Sequence, residues 1–300
     1  TGETHNSPSN MEAYGGAITG IVGVYRDPMG TGIGSKIIFG SFGYCTADPN
    51  IDSDLEAKLH PRQLLDGVID GVKDGGNKSG NPTIMGKTLF HSNYLGKSLV
   101  FVTTGGIMPS VINGEPSHEK EIALGDLMVM SGGRVGKDGI HGVTAASEEN
   151  TENTPAGHVQ IGDPYTQKKM HDFLLDARDE GLSRFITDNG GGGLSSSIGE
   201  TTREINTDGF SGGSFEIDKV PLKYEGLDLW EIWVSESQER MTIAVKPECI
   251  DRFMELSKQH GVESTVIGKY NSDNALHMTY NGKSIAYITS DFLEQGFPQW

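Results

Sequence analysis

The sequence predicts an α+β chain built as two domains, and three observations lead there. Its 300 residues exceed the ~100–200 of an ordinary domain and supply enough chain for two cores. Segments with a helical apolar period mix with short apolar runs of strand length, without the regular strand–helix succession of a doubly wound parallel sheet. Asn281-Gly282 lies between two such runs, and this dipeptide is a strong signal for a tight antiparallel hairpin. Glycine supplies 42 residues, about twice the usual share. It has no fixed period, which excludes collagen, and the 35% hydrophobic content argues against wholesale disorder.

The elements follow in order. Residues 3–8 are polar, and Pro8 disfavours helix at Ser7, so an extended segment or loop is expected. Residues 17–26 are small and apolar enough for a closely packed helix, with Arg26-Asp27 at its end before Pro28. Residues 37–42, 83–90 and 98–104 have strand character. Leu64, Leu65, Val68, Ile69 and Val72 recur at helical spacing between Pro61 and Gly75-Gly76. This places a first domain at 1–112 and a polar, turn-rich linker at 113–126. A second domain at 127–300 opens on a strand at 127–130 and enters a glycine-rich loop. It continues with an amphipathic helix at 168–178 carrying Met170, Phe173, Leu174 and Ala177. A strand at 241–245, a helix at 247–260 and strands at 264–267, 275–280 and 284–288 complete it. Trp230, Trp233 and Met241 read as core.

The formal net charge is −17. Nucleic acid and anionic membrane surfaces would repel such a chain, so neither is an expected partner. Most of the carboxylates read as solubility, leaving a minority for metal ions. The two cysteines, Cys45 and Cys249, provide neither a disulfide framework nor a zinc spacing, which suits the reducing cytoplasm. No apolar run reaches the roughly 18–20 residues of a membrane span, and the opening lacks a signal-peptide pattern.

Chemistry concentrates in a few places. Glu3, Thr4, His5, Asn6 and Ser7 put a carboxylate, an imidazole and an amide side by side. Such a set suits a metal ligand, a proton-transfer group and a substrate clamp, or else a frayed polar terminus. Arg26 suits phosphate or carboxylate and Asp27 suits Mg2+, unless the pair is a solvated helix end. The glycine runs at 132–139 and 190–193 expose backbone amides that can cradle anions, but neither has P-loop spacing. His141 reads as a loop or core histidine. No nucleophile elbow occurs and neither cysteine has an activating neighbour, so nucleophilic catalysis is not expected.

Taken together and in order, several runs resemble one family, over essentially the whole chain. These are residues 3–9 (ETHNSPS), 14–20 (YGGAITG), Arg26-Asp27, 136–142 (GKDGIHG), 159–164 (VQIGDP), 187–193 (TDNGGGG) and 235–241 (SESQERM). They resemble the first half of the synthetase core of phosphoribosylformylglycinamidine synthase. The resemblance implies an aminoimidazole ribonucleotide synthetase-like fold, with an N-terminal α+β domain and a C-terminal α/β domain. It implies an ATP-dependent carbon–nitrogen ligase. Such an enzyme converts formylglycinamide ribonucleotide, ammonia from glutamine and ATP to formylglycinamidine ribonucleotide, ADP and phosphate.

By motif, Glu3, Asp27 and Asp188 would bind Mg2+, and His5 would be the catalytic proton acceptor. Thr4, Asn6, Ser7, Arg26, Gln160, Glu236, Ser237 and Gln238 would meet the substrate. Ser7 departs from the motif, which has a second histidine there; a hydroxyl donates a hydrogen bond but carries no proton charge near neutral pH. The chain opens on Thr1 rather than Met, so the resemblance implies a piece of a longer synthetase. The ATP-binding lysine is expected just upstream, with further nucleotide contacts in a second unit. The implied partners are that unit and a glutaminase domain or subunit. The fragment alone is expected to be inactive and able to pair as a homodimer. A kinase-type relative acting on selenophosphate or thiamine phosphate chemistry, or a non-catalytic module retaining the fold, are the alternatives.

Overall fold

The computed structural model describes residues 1–52, 59–140, 142, 159–203 and 211–296; His141 lies outside them. A four-stranded sheet is ordered β1 (Gly2–Thr4), β4 (Leu99–Ile107), β2 (Lys36–Thr46), β3 (Thr83–Phe90). Its β2–β3 pair is parallel and its other pairs antiparallel. Helices α2 (Ala13–Val24) and α4 (Pro61–Lys78) pack together over this sheet. Their approach is close because Gly67, Gly71 and Gly75 recur every fourth residue along one stripe of α4. A Cβ on them would fall 2.6 Å from Ala13 Cβ, 2.5 Å from Tyr14 O and 2.4 Å from Ile21 Cγ2. Val68 and Val72 are fully buried beside this stripe, each contributing about 1.5–3 kcal/mol. The four-stranded sheet also exposes Ile84, Met85, Leu89, Phe90, Phe101 and Ile107.

Two N-terminal expectations change. The polar opening is not all extended: β1 leads through His5 into a short helix α1 (Asn6–Met11), with Ser7 helical. Pro8 sits in its first turn, where a missing N–H costs nothing because those donors have no intrahelical acceptor. Arg26 and Asp27 do not end the long helix but begin a separate turn, α3 (Arg26–Met29). Pro28 has no N–H to offer the Val24 carbonyl, so the α2 ladder stops at Val24.

The second sheet has seven strands. They are β7 (Leu127–Gly132), β8 (Ser183–Asp188), β9 (Gly213–Glu216), β10 (Arg240–Val245), β11 (Ser264–Tyr270), β12 (Ala275–Tyr280) and β13 (Lys283–Thr289). They lie in the order β13-β12-β9-β11-β7-β10-β8, with β9–β12 the parallel pair. The hairpin is where the sequence put it, with Asn281 at φ 49° and Gly282 at φ 73°, the left-handed pair a type I′ turn requires.

Helices α5 (Pro164–Asp179) and α8 (Ile250–Gln259) share a core with the first sheet's helices. That core takes Val129, Ile243 and Val245 from one face of the second sheet. Met128, Met130 and Ala244 point to the other face and pack with α6 (Gly193–Thr201) and α7 (Leu229–Val234). Burial on both faces explains the unbroken apolar run Leu127–Met130 of β7. A three-residue 3-10 turn, Pro247–Cys249, precedes α8, and α9 (Ser290–Gln295) follows β13.

Between the sheets, β5 (Val111–Ile112) and β6 (Glu115–Pro116) form a small ladder. Ile122 is buried in the second core, and Lys120 Nζ donates to the Gly30 and Ile186 carbonyls. Trp230 corrects another expectation: it is 53% exposed, because in the short α7 it lies about 200° around the axis from the buried Ile232. Trp233 packs 5.3 Å from the Phe215 ring, and Met241 is fully buried as expected. Among the described residues, no helix is long and apolar enough to cross a membrane.

Candidate functional site

A cavity of about 310 Å3 opens where the two sheets meet. β8 and β10 are antiparallel neighbours with Met241 opposite Asp188. The end of β8 therefore lies beside the loop that enters β10, and Asp188 beside Gln238. β1 brings Glu3 and His5 from the first sheet, and α3 brings Arg26 and Asp27. Glu3, His5, Arg26, Asp27, Gln160, Asp188 and Gln238 all line this cavity, together with Thr19, Gly190 and Gly191. Thr4, Asn6, Ser7, Glu236 and Ser237 do not.

Asn6 has a different task in this geometry, because its Oδ1 accepts from Val100 N at 2.8 Å and pins α1 to β4. Ser7 is buried in α1, and Thr4 pairs with Phe101 in the sheet. Glu236 and Ser237 stand one layer behind the wall. Glu236 Oε2 accepts from Gln160 Nε2 at 2.6 Å and its Oε1 from Gly192 N at 3.1 Å. Ser237 Oγ accepts from Gly136 N at 2.9 Å.

The glycine amides are therefore less available than the sequence suggested. Gly133 donates to the Glu239 carbonyl, Gly136 to Ser237, Gly190 to Asp188 Oδ1 and Gly192 to Glu236. The runs serve close approach instead. Gly193 has φ 62°, and a Cβ there would fall 2.2 Å from the Ser235 carbonyl oxygen.

Arg26 is the hub, 2% exposed. Its Nε donates to Asp188 Oδ1 at 2.8 Å, Nη1 to Gln167 Oε1 at 3.3 Å, and Nη2 to Gln238 Oε1. Glu239 Oε1 lies 3.6 Å from Nη1. Gln238 Nε2 in turn donates to the Glu236 carbonyl at 2.6 Å, which fixes the amide's orientation. Arg240 is buried as well and donates to the Ser237 and Ser235 carbonyls at 2.6 Å each. The polar run 235–240 is thus a folded loop tied to itself and to Arg26.

The electrostatics follow from crowding and burial. Loss of water, then the neighbouring Asp27, holds the Glu3 carboxyl above its usual range. Loss of water also raises Asp27, with Asp188 adding to it and the Thr1 hydroxyl opposing. Burial pushes His5 down to about 4, so the imidazole is neutral near pH 7, and its buried Nδ1 has no hydrogen-bond partner. Burial pushes Glu239 up to about 8 against the pull of Arg26. Among the described residues no group of three or more His, Cys, Asp or Glu side chains is placed so that it could hold a metal ion by itself.

The sequence reading missed Gln167, Thr19 and Glu239. Gln167 sits among core positions of α5 and gives no signal of its own. Thr19 lay within one quoted run; its hydroxyl donates to the Gln160 carbonyl at 2.7 Å and accepts from Gly162 N at 2.8 Å. Glu239 belonged to a run whose polarity was too high for core, the one signal that could have found it.

Residues 1–108 match the N-terminal domain of AIR synthase related protein, and residues 124–281 match its C-terminal domain. The phosphoribosylformylglycinamidine synthase subunit PurL of Methanopyrus kandleri is 35% identical over 304 residues, 99% of this chain and 39% of that protein. The same subunit of Thermoplasma acidophilum is 34% identical over 295 residues, 97% of this chain and 37% of that protein. This chain therefore spans about two fifths of the length of these curated relatives. Thermotoga maritima PurL complexed with FGAR matches with a TM-score of 0.82 at 29% identity, over 97% of this chain and 45% of that one. With both domain models matched in order across its two sheets, the chain belongs to the AIR synthase related protein family.

Proposed function

We propose that this chain is the first synthetase unit of an ATP-dependent ligase that makes formylglycinamidine ribonucleotide from formylglycinamide ribonucleotide in purine biosynthesis. The observation that carries this reading is one cavity gathering His5, Arg26, Gln160 and Gln238 with the carboxylates Glu3, Asp27 and Asp188. In support, Thermotoga maritima PurL has been solved with FGAR and with ATP. Within that unit we assign the N-terminal domain to residues 1–112 and the C-terminal domain to 127–300, joined through 113–126.

In the proposed reaction the glycinamide carbonyl oxygen of the substrate attacks the γ-phosphate of ATP and ADP leaves. Ammonia then adds to the activated carbon, and phosphate departs with the former amide oxygen. Such chemistry needs positioning and charge stabilisation more than a protein nucleophile. His5, kept neutral by burial, takes the proton released from the attacking nitrogen. Arg26 presents its Nη2 edge, flanked by Gly23 and Gly190, to the substrate's anionic end. Gln160 and Gln238 orient the polar groups, with Glu236 and Ser237 supporting them and Thr4, Asn6 and Ser7 shaping the β1–α1 wall.

Glu3, Asp27 and Asp188 are hard oxygen donors whose mutual repulsion a cation would relieve. Their open arrangement suits Mg2+, which keeps several waters and shares carboxylates with phosphate groups. Bound there, Mg2+ would neutralise charge on the transferred phosphoryl group. The exposed apolar face of the first sheet suits the second synthetase unit or a second copy of this chain, and a glutaminase would supply ammonia. The cytoplasm suits this chemistry and the two free cysteines.

The test is calorimetric titration of the full-length protein with formylglycinamide ribonucleotide and Mg2+. Arg26→Ala and Glu236→Ala are each expected to weaken binding by about tenfold or more. Absence of binding by the unaltered protein would overturn the reading in favour of a related kinase or a non-catalytic module.

A further inference from the structure

We propose that Glu239 is the positioning residue of this site, holding the Arg26 guanidinium so that its Nη2 edge stays turned to the cavity. The inference rests on the reading above that Arg26 meets the substrate's anionic end. Glu239 does not line the cavity; the cavity-lining side chain it pairs with is Arg26.

The first observation is the shape of the grip. Asp188 takes Nε, Gln167 takes Nη1 and Gln238 takes Nη2. Asp188 alone would draw the guanidinium toward β8. Glu239 Oε1 stands 3.6 Å from Nη1, so a second carboxyl group bounds the guanidinium at the Nη1 end, away from the Nε that Asp188 holds. This Oε1 is buried without a hydrogen-bond partner and faces the Arg26 guanidinium across that distance.

The second observation is the backbone. Glu239 sits at φ 55°, a left-handed conformation that glycine adopts freely and a glutamate does not. The chain fixes it there from both sides: Gly133 N donates to the Glu239 carbonyl at 2.9 Å. A Cβ on Gly132 would fall 2.0 Å from that same oxygen. Glycine would satisfy this turn with less strain, so the side chain is what a glutamate adds at this position. That side chain is 4% exposed and reaches toward Arg26, the one guanidinium that lines the cavity.

The experiment uses the full-length synthetase and steady-state kinetics with formylglycinamide ribonucleotide, ATP and ammonium. Glu239→Gly keeps the turn and removes the side chain, and Glu239→Gln keeps the volume and replaces the carboxyl by an amide. For Glu239→Gly, KM for formylglycinamide ribonucleotide is expected to rise about tenfold, with kcat within about threefold and KM for ATP unchanged. Glu239→Gln is expected to raise the same KM by about threefold and to hold the inference open to test should Glu239→Gly fail to fold. A KM equal to the unaltered protein's in a folded variant overturns it, as does a fall in kcat with KM unchanged. If the unaltered protein neither binds nor turns over formylglycinamide ribonucleotide, the proposed function fails first. A variant indistinguishable from an active parent removes only the role of Glu239.

Discussion

Replacing Gly193 by alanine tests whether steric necessity, rather than phosphate binding, explains the glycine run before α6. The residue has φ 62°, and an added Cβ would lie 2.2 Å from the Ser235 carbonyl oxygen and 3.0 Å from the Ser235 and Val234 carbonyl carbons. All three are backbone atoms, so no side chain can swing away. An alanine in the left-handed region costs about 1–2 kcal/mol. Forcing the Ser235 backbone back by roughly an ångström adds about 1–3 kcal/mol of overpacking strain. The combined loss is about 2–5 kcal/mol, with a displaced 235–239 loop and weaker substrate binding. Gly199 in the same helix is the control. Nothing lies within 4 Å of a Cβ added there, so Gly199→Ala should stabilise by about 0.5–1 kcal/mol through helix propensity. Urea denaturation followed by circular dichroism measures both. Equal midpoints for Gly193→Ala and the unaltered protein, or an equal loss at Gly199, would refute the reasoning.

Two further outcomes are expected. Glu239 is raised from 4.5 to about 8 in the fold, so the folded protein holds this proton more tightly than the unfolded chain. The stabilisation this gives is complete below the unfolded value and is lost as pH rises through the folded one. The non-titrating Glu239→Gln should therefore gain urea stability relative to the unaltered protein between about pH 5 and pH 8, and a difference independent of pH would contradict this. Asp163 caps α5, accepting from Tyr165 N at 3.0 Å and Thr166 N at 3.3 Å. Asp163→Ala should cost about 1 kcal/mol in the same assay, whereas Asp163→Asn should cost a few tenths, and equal losses would assign the effect elsewhere.

The fold was legible where local chemistry and tertiary packing agree. Pro61 and the glycines bracketed α4, and Asn281-Gly282 located its hairpin to the residue. β8 escaped because Phe185 and Ile186 are its only fully buried residues between charged and hydroxyl neighbours. α7 escaped because six mostly apolar residues, LWEIWV, show no period that separates helix from strand. The site divides in the same way. Motif order found Asp188 and the 235–240 run, yet their closeness comes from the β8–β10 register, a long-range pairing no local pattern contains. Gln167 is the plainest case, a helix residue whose role exists only because Arg26 arrives from a distant turn.

In the proposed function, His5 carries out the acid–base chemistry on formylglycinamide ribonucleotide. The direct measurement is formylglycinamidine ribonucleotide formation by the full-length synthetase carrying His5→Ala, with substrate affinity determined on the same sample. Turnover is expected to fall by about a thousandfold, the scale of a lost general base, while affinity stays within about threefold. Normal turnover by a folded His5→Ala protein would show that His5 is not the base.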